Sequence, residues 1–284
     1  MMITKTALVL QGGGTRAAFT AGVVDVILEN NIVFPYLSGV SAGGLMGVNY
    51  LSRQAGRSKY IVTKLMRDKK FVSLNNFLFK KSAFDFHYLL EEVPKFLKFD
   101  RETYDNSKTE LVVTATSMED GKAHAFKKSQ CANFNAALAA SASLPLLSQP
   151  VEVDGHLYLD GGPSCSIGFR SPLEDGFEKI VVVCTRHKGY RKTGEVSHMG
   201  LAKRFYGNYP AFMDTFAHSK MIYNADMQEL ERLAEEGKAF IIYPEEPIEI
   251  GRTETKYKVL AALYDKGYAL GKKILPDLLE FLDE

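Results

Sequence analysis

Cysteine is scarce in this chain: Cys131, Cys165 and Cys184 are an odd number without C-x-x-C spacing, so neither a disulfide framework nor a zinc site is indicated. That scarcity fits a reducing compartment. A charge excess of one sign is equally lacking, since 35 Lys+Arg against 34 Asp+Glu leave +1. A protein that holds nucleic acid by phosphate neutralisation shows a basic excess or stripe, and neither is present. Long apolar runs are missing too. The first, Ala7 to Leu10, leads straight into glycines, well short of the ~18 residues of a spanning helix and of a signal core of ~7 to 15. The expectation is a cytoplasmic protein whose closest approach to the inner membrane is peripheral contact. What remains is ordinary: 46% hydrophobic and 24% charged residues belong to a soluble globular chain and exclude disorder, collagen and coiled coil. The 284 residues accommodate one large domain, or one domain with an appendage.

The opening reads as strand, glycine turn, helix, strand, turn, helix. Thr6 to Gln11 is a short β run broken by Gly12-Gly13-Gly14, and Ala17 to Glu29 has apolar residues at helical spacing. After Pro35, Tyr36 to Val40 is a second strand and Ala42 to Leu51 a second helix. Strands alternating with helices predict a parallel sheet covered on both faces. Further on come a strand at Leu111 to Ser117, an alanine-rich helix at Ala132 to Ser143, and a hairpin over Val151 to Leu159 turning at Asp154-Gly155. Ile180 to Thr185 reads as a buried strand. The tail offers a helix from Met213 to Glu236, a strand Ala239 to Tyr243 and an amphipathic helix from Thr255 to Lys272.

Gly39-Val40-Ser41-Ala42-Gly43 is a G-x-S-x-G sequence where a strand gives way to a helix. A serine on such a turn is lifted clear of the sheet, and small neighbours are needed because the backbone is strained and crowded. The following helix aims its first amides at developing negative charge. The competing reading is a glycine-rich turn with an incidental serine. Gly12-Gly13-Gly14-Thr15-Arg16-Ala17 also joins a strand to a helix, and bare amides there cradle an anion. It matches G-x-G-x-x-A, yet a dinucleotide site needs an acid about 20 residues on. Phe34-Pro35 stand there instead, which favours an oxyanion hole. Arg16 either supports that loop or serves as a surface or structural salt-bridge partner. Of His87, His124, His156, His187, His198 and His218, only His187 is placed for catalysis, just past a strand; a plain strand-end histidine is its other reading. Asp160-Gly161-Gly162 follows the apolar run Leu157-Tyr158-Leu159 and offers a carboxylate base at a strand end, or simply an Asp-Gly turn.

Taken in order, Gly12-Gly13-Gly14-Thr15-Arg16, Gly39-Val40-Ser41-Ala42-Gly43 and Asp160-Gly161-Gly162 resemble the patatin-like phospholipases. The resemblance extends through Ala139 to Pro145 and Pro150 to Asp160, and the tail is similar to a bacterial subgroup of that family. It implies a three-layer α/β/α fold with a mostly parallel central sheet. Residues 5–185 would form the acyl hydrolase core, and 186–284 a helical and strand extension packed on the same domain. It further implies a Ser-Asp dyad of Ser41 and Asp160 without histidine. Gly12, Gly13 and Gly14 would form the oxyanion hole, supported by Arg16, Gly39, Gly43, Gly161 and Gly162. Ala17, where the family has glycine, and Pro163-Ser164-Cys165 depart from the pattern without removing a catalytic group.

The implied activity is that of a serine acyl hydrolase on carboxylic esters of lipids, of phospholipase A type. A non-catalytic acyl-lipid-binding or regulatory protein is the alternative, and a nucleotide-binding protein the third. No cofactor, metal or nucleic acid is called for; a lipid or acyl ester is the expected partner, and oligomeric state stays open. Residues 71–104 are the compositional anomaly, with about a quarter Phe or Tyr against 11% overall. Phe84, Phe86, Leu89, Leu90 and Val93 would form one stripe, with Lys80, Lys81, Lys95 and Lys98 beside it. The stripe is the wall of an apolar groove, a membrane-facing cap, or ordinary core.

Overall fold

A computed structural model describes residues 3–73, 76 and 82–283; Lys80 and Lys81 lie outside the described residues. The strands are β1 (Thr6–Leu10), β2 (Tyr36–Val40), β3 (Glu110–Ser117), β4 (Ala123–Lys127), β5 (Val151–Val153), β6 (His156–Asp160), β7 (Lys179–Val183) and β8 (Ala239–Ile242). They form one mixed sheet in the order β5-β6-β3-β2-β1-β7-β8, with β4 also on β3. The run from β3 to β8 is parallel, whereas β4, β5 and β6 run antiparallel.

Helices cover both faces, giving the expected three layers. They are α1 (Ala17–Glu29), α2 (Ala42–Leu51), α3 (Arg57–Thr63), α4 (Val93–Phe96), α5 (Arg101–Asp105), α6 (Phe134–Ala142), α7 (Arg170–Glu174), α8 (Met199–Tyr206), α9 (Pro210–Glu235) and α10 (Tyr257–Asp283). Successive side chains of a strand point to opposite faces, and the cores follow that rule. Leu8, Leu10, Val181 and Val183 join α1, α2 and α10 on one face. Ala7, Val9, Ile180 and Val182 meet Phe169, Tyr223, Met227 and Leu230 on the other. Strands buried on both sides read as unbroken apolar runs, which is why β1 and β7 were visible in the sequence.

Three local differences have physical causes. Strand β4 was not expected, because its Ala-His-Ala-Phe-Lys run lies at an edge and is only half covered. Helix α8 was not expected either, because Ala202 and Tyr206 are its buried residues and the rest are half-buried or exposed. Helix α10 runs on through Pro276 to Asp283, with Leu275, Leu278 and Phe281 packed on the core beyond the expected end at Lys272.

Candidate active site

Strand β3 brings the two candidate catalytic residues together. Its first residues pair with parallel β2, ending at Val40 opposite Thr114. Its last residues pair with antiparallel β6, ending at Asp160 opposite Ala115. Strands β2 and β6 therefore meet head to head along one edge of β3, and the residue after Val40 is Ser41. Residues far apart in the chain become neighbours because consecutive positions of β3 hold the two strand ends.

Ser41 adopts φ 55° and ψ −126°, a conformation that costs an L-residue about 1–3 kcal/mol and persists only where its surroundings enforce it. The Ser41 N–H donates to Ser141 Oγ at 2.9 Å, and that hydroxyl donates to the Thr114 carbonyl at 2.7 Å. The elbow is thus tied to β3 through a buried serine. Tight packing does the rest: a Cβ at Gly43 would collide with the Leu10 carbonyl, one at Gly39 with Gly44, and one at Gly161 with the Thr114 carbonyl.

Asp160 is 3% exposed. Its Oδ1 accepts the Gly162 N–H at 2.7 Å. Its Oδ2 is buried and has no partner of full hydrogen-bond geometry among the described residues. Burial pushes its pKa up, while the Ser41 hydroxyl, the Gly162 N–H and the charges of Arg252 and Lys192 pull the other way. Ser41 is thus within reach of the carboxylate with alignment incomplete. The Asp160 and Gly161 N–H groups donate to the carbonyls of Ser143 and Ser141, so the end of α6 fixes both halves of the pair.

The glycine loop lies beside Ser41. The Gly12 N–H donates to the Ser166 carbonyl at 3.1 Å, whereas the N–H groups of Gly13 and Gly14 meet no acceptor among the described residues. Gly14 has φ 58° and sits under the carbonyl of Arg252. Thr15 donates its N–H to that carbonyl and its hydroxyl to Gly251, so the segment before α10 straps the loop down. Arg16 is no surface residue: it is 6% exposed, and burial with Arg186 and Arg252 lowers its pKa to about 10.

Ser41 stands where two cavities join, of about 1040 and 1480 Å³ with their open mouths included. The first is apolar, lined by Leu45, Met46, Ile61, Phe71, Phe84 and Leu89 among others. The second is polar and contains Asp160, Arg16, Arg186 and Lys192. Gly14, Ser41, Leu144 and Arg252 border both. Phe84, Phe86, Leu89 and Leu90 line the first cavity, and the stripe, with Val93, packs on the main core, so it serves as groove wall and core together. His187 lines neither cavity and packs its ring on Tyr190.

Residues 8–173, more than half of the chain, match the family described as patatin-like phospholipase. The chain belongs to that family. The patatin-like phospholipases are lipid hydrolases, and the fold and the order of motifs here agree with membership. Residues 209–283 of this patatin-like phospholipase match a second family, described as a domain of unknown function (DUF6363). An uncharacterized protein of Escherichia coli (strain K12), YjjU, is 23% identical over 288 residues, spanning 99% of this chain and 80% of that protein. The crystal structure of VipD from Legionella pneumophila is similar with a TM-score of 0.44 and 14% identity, covering 96% of this chain and 67% of that one.

Sequence reasoning did not find the positioning role of Ser141 or the approach of Arg186, Lys192 and Arg252 to the site of this patatin-like phospholipase. Ser141 was visible only as part of a motif. The cations are contributed by loops whose destination no local pattern encodes.

Proposed function

We propose that this patatin-like phospholipase is a serine acyl hydrolase that cleaves carboxylic esters of lipids through Ser41 and Asp160. The observation that carries this reading is the strained Ser41 elbow, set beside a buried carboxylate at the joint of an apolar and a polar cavity. The acyl chain lies in the apolar cavity and the alcohol portion in the polar one. Ser41 Oγ attacks the ester carbonyl while Asp160 takes its proton. The tetrahedral intermediate expels the alkoxide as Asp160 returns the proton to it, and water then releases the acyl group by the same route in reverse.

An ordinary carboxylate, with a pKa near 3.9, is a weak base for a hydroxyl. Burial raises the proton affinity of Asp160. The free amides of Gly13 and Gly14 stabilise the oxyanion, each such donor being worth ~2.7–4 kcal/mol. The Gly12 amide is committed to Ser166, so Gly12 contributes shape, as do Gly39, Gly43 and Gly161, while the Gly162 N–H holds the carboxylate of Asp160. Arg16 adds positive charge behind the loop. No helix among the described residues is long and apolar enough to cross a membrane, and contact with lipid is peripheral in this reading.

Hydrolysis of p-nitrophenyl esters by purified variants tests the assignment. Ser41→Ala and Asp160→Asn are expected to lose ~10³-fold or more in kcat/KM, and His187→Ala to stay within a few-fold of the parent. Activity in the Ser41 variant, or loss in the histidine variant, rejects the dyad. An inactive parent that still binds fatty acyl ligands supports the non-catalytic alternative.

A further inference from the structure

The polar cavity is more basic than ester cleavage requires. Arg16 comes from the glycine loop, Arg186 from the end of β7, Lys192 from the loop beyond, and Arg252 from the strap before α10. Asp160 is the carboxylate in that lining. Nearby cations outside the chamber have acidic partners, Arg170 with Asp226 and Arg191 with Glu231. Lys220 also lines the chamber but is held by the carbonyls of Thr193 and Glu195; among the described residues, none of the other four forms an ion pair. Their neutral contacts are long: Arg16 to the Ile250 carbonyl at 3.4 Å, Arg186 to that of Ile248 at 3.5 Å, Lys192 to Ser166 Oγ at 3.3 Å. The Nε of Arg16, on a side chain more than nine-tenths buried, has no partner at all among the described residues.

Like charges gathered around a single carboxylate, with Arg16 buried, Arg186 and Lys192 half-buried and Arg252 exposed, repel one another, and a site that maintains them is preorganised for an anion. The chamber also disfavours cationic head groups. A quaternary ammonium is held by an open aromatic face, yet Arg186 covers Tyr190 at 4.5 Å and Lys192 covers Tyr223 at 4.2 Å. We infer that this chamber is a receptor for an unblocked phosphate monoester, so that the preferred substrate is an acyl ester whose alcohol portion ends in such a phosphate. The inference rests on the hydrolase reading above and names its substrate class. The guanidinium forks of Arg16, Arg186 and Arg252 match phosphate oxygens pairwise, and the Lys192 ammonium supplies a mobile point charge. Burial together with Arg252, Arg16 and Arg186 lowers the Lys192 pKa to about 7; a bound dianion reverses the repulsive part of that shift.

The test compares hydrolysis of lauroyl glycerophosphate and lauroyl glycerophosphocholine, both kept below their aggregation concentrations, with p-nitrophenyl butyrate as the uncharged control. The expected kcat/KM ratio favours the phosphate monoester by ~10-fold or more, and Lys192→Gln or Arg186→Gln shrinks it by a similar factor. Calorimetry on the Ser41→Ala protein supplies the binding arm, with glycerol phosphate and inorganic phosphate as separate probes. Saturable binding of glycerol phosphate, lost in Arg186→Gln, supports the receptor without any turnover. A ratio near one with p-nitrophenyl butyrate still cleaved overturns the substrate class and leaves the hydrolase standing. Binding of inorganic phosphate with no preference between the lipids makes the chamber a site for free phosphate and equally overturns it. If no ester is cleaved, the hydrolase reading fails, and with it the substrate class.

Discussion

As the proposed base, Asp160 has to carry a negative charge in a place that disfavours it, and this conflict has measurable consequences. Its pKa is raised in the folded protein, first by burial. As a base it must be ionised, so kcat/KM on a soluble ester is expected to rise with pH through a limb above the ordinary carboxylate value of about 3.9. Half-maximal activity at or below pH 4 would contradict this. Stability moves the other way. A folded pKa above the unfolded one contributes stability that is complete below the unfolded value and is lost as pH rises through the folded value. Asp160→Asn is uncharged and nearly the same shape, and at pH 8 it is expected to raise the melting temperature by about 2–4 °C, the equivalent of ~1 kcal/mol, while abolishing turnover. An unchanged or lower melting temperature would mean that the carboxylate contributes more to the fold than its burial costs.

At the scale of elements, what the sequence revealed depended on how local the determining interactions were. Strand β2 and helix α2 were legible to the residue, because Pro35 and the glycines around Ser41 mark their ends. The hairpin at Asp154-Gly155 was legible for the same reason, both residues having positive φ. The aromatic stripe was legible as a stripe, yet its direction depends on α2, α3 and the chain around Phe71, which supply the opposite wall of the cavity. The amphipathic pattern ends α10 at Lys272, whereas tertiary packing of Leu275, Leu278 and Phe281 carries the helix on through Pro276. That helix also crosses α1 closely: a Cβ on Gly267 would overlap the Phe19 carbonyl of α1. Alanine improves helix propensity by about 1 kcal/mol, but here the backbones must separate, and overpacking of this kind costs ~1–3 kcal/mol. Gly267→Ala is therefore expected to lower stability in urea or thermal unfolding. Equal or greater stability would show that α10 is free to shift.

In the whole molecule the site is distributed across the chain. The glycine loop and Ser41 come from its first fifty residues, Asp160 from the centre of the sequence, and Arg186, Lys192 and Arg252 from the tail. Motif spacing located the first two groups, since each motif is local. It was silent on the third, and on the head-to-head ends of β2 and β6, because sheet order is a property of the assembled fold. In the proposed mechanism this assembly turns Ser41 into a nucleophile. Labelling of the purified protein with a fluorophosphonate, followed by mass mapping of the modified peptide, tests it most directly. A single adduct on Ser41 is expected, absent in Ser41→Ala and formed more slowly in Asp160→Asn. An unlabelled protein, or an adduct on a different serine, would contradict it.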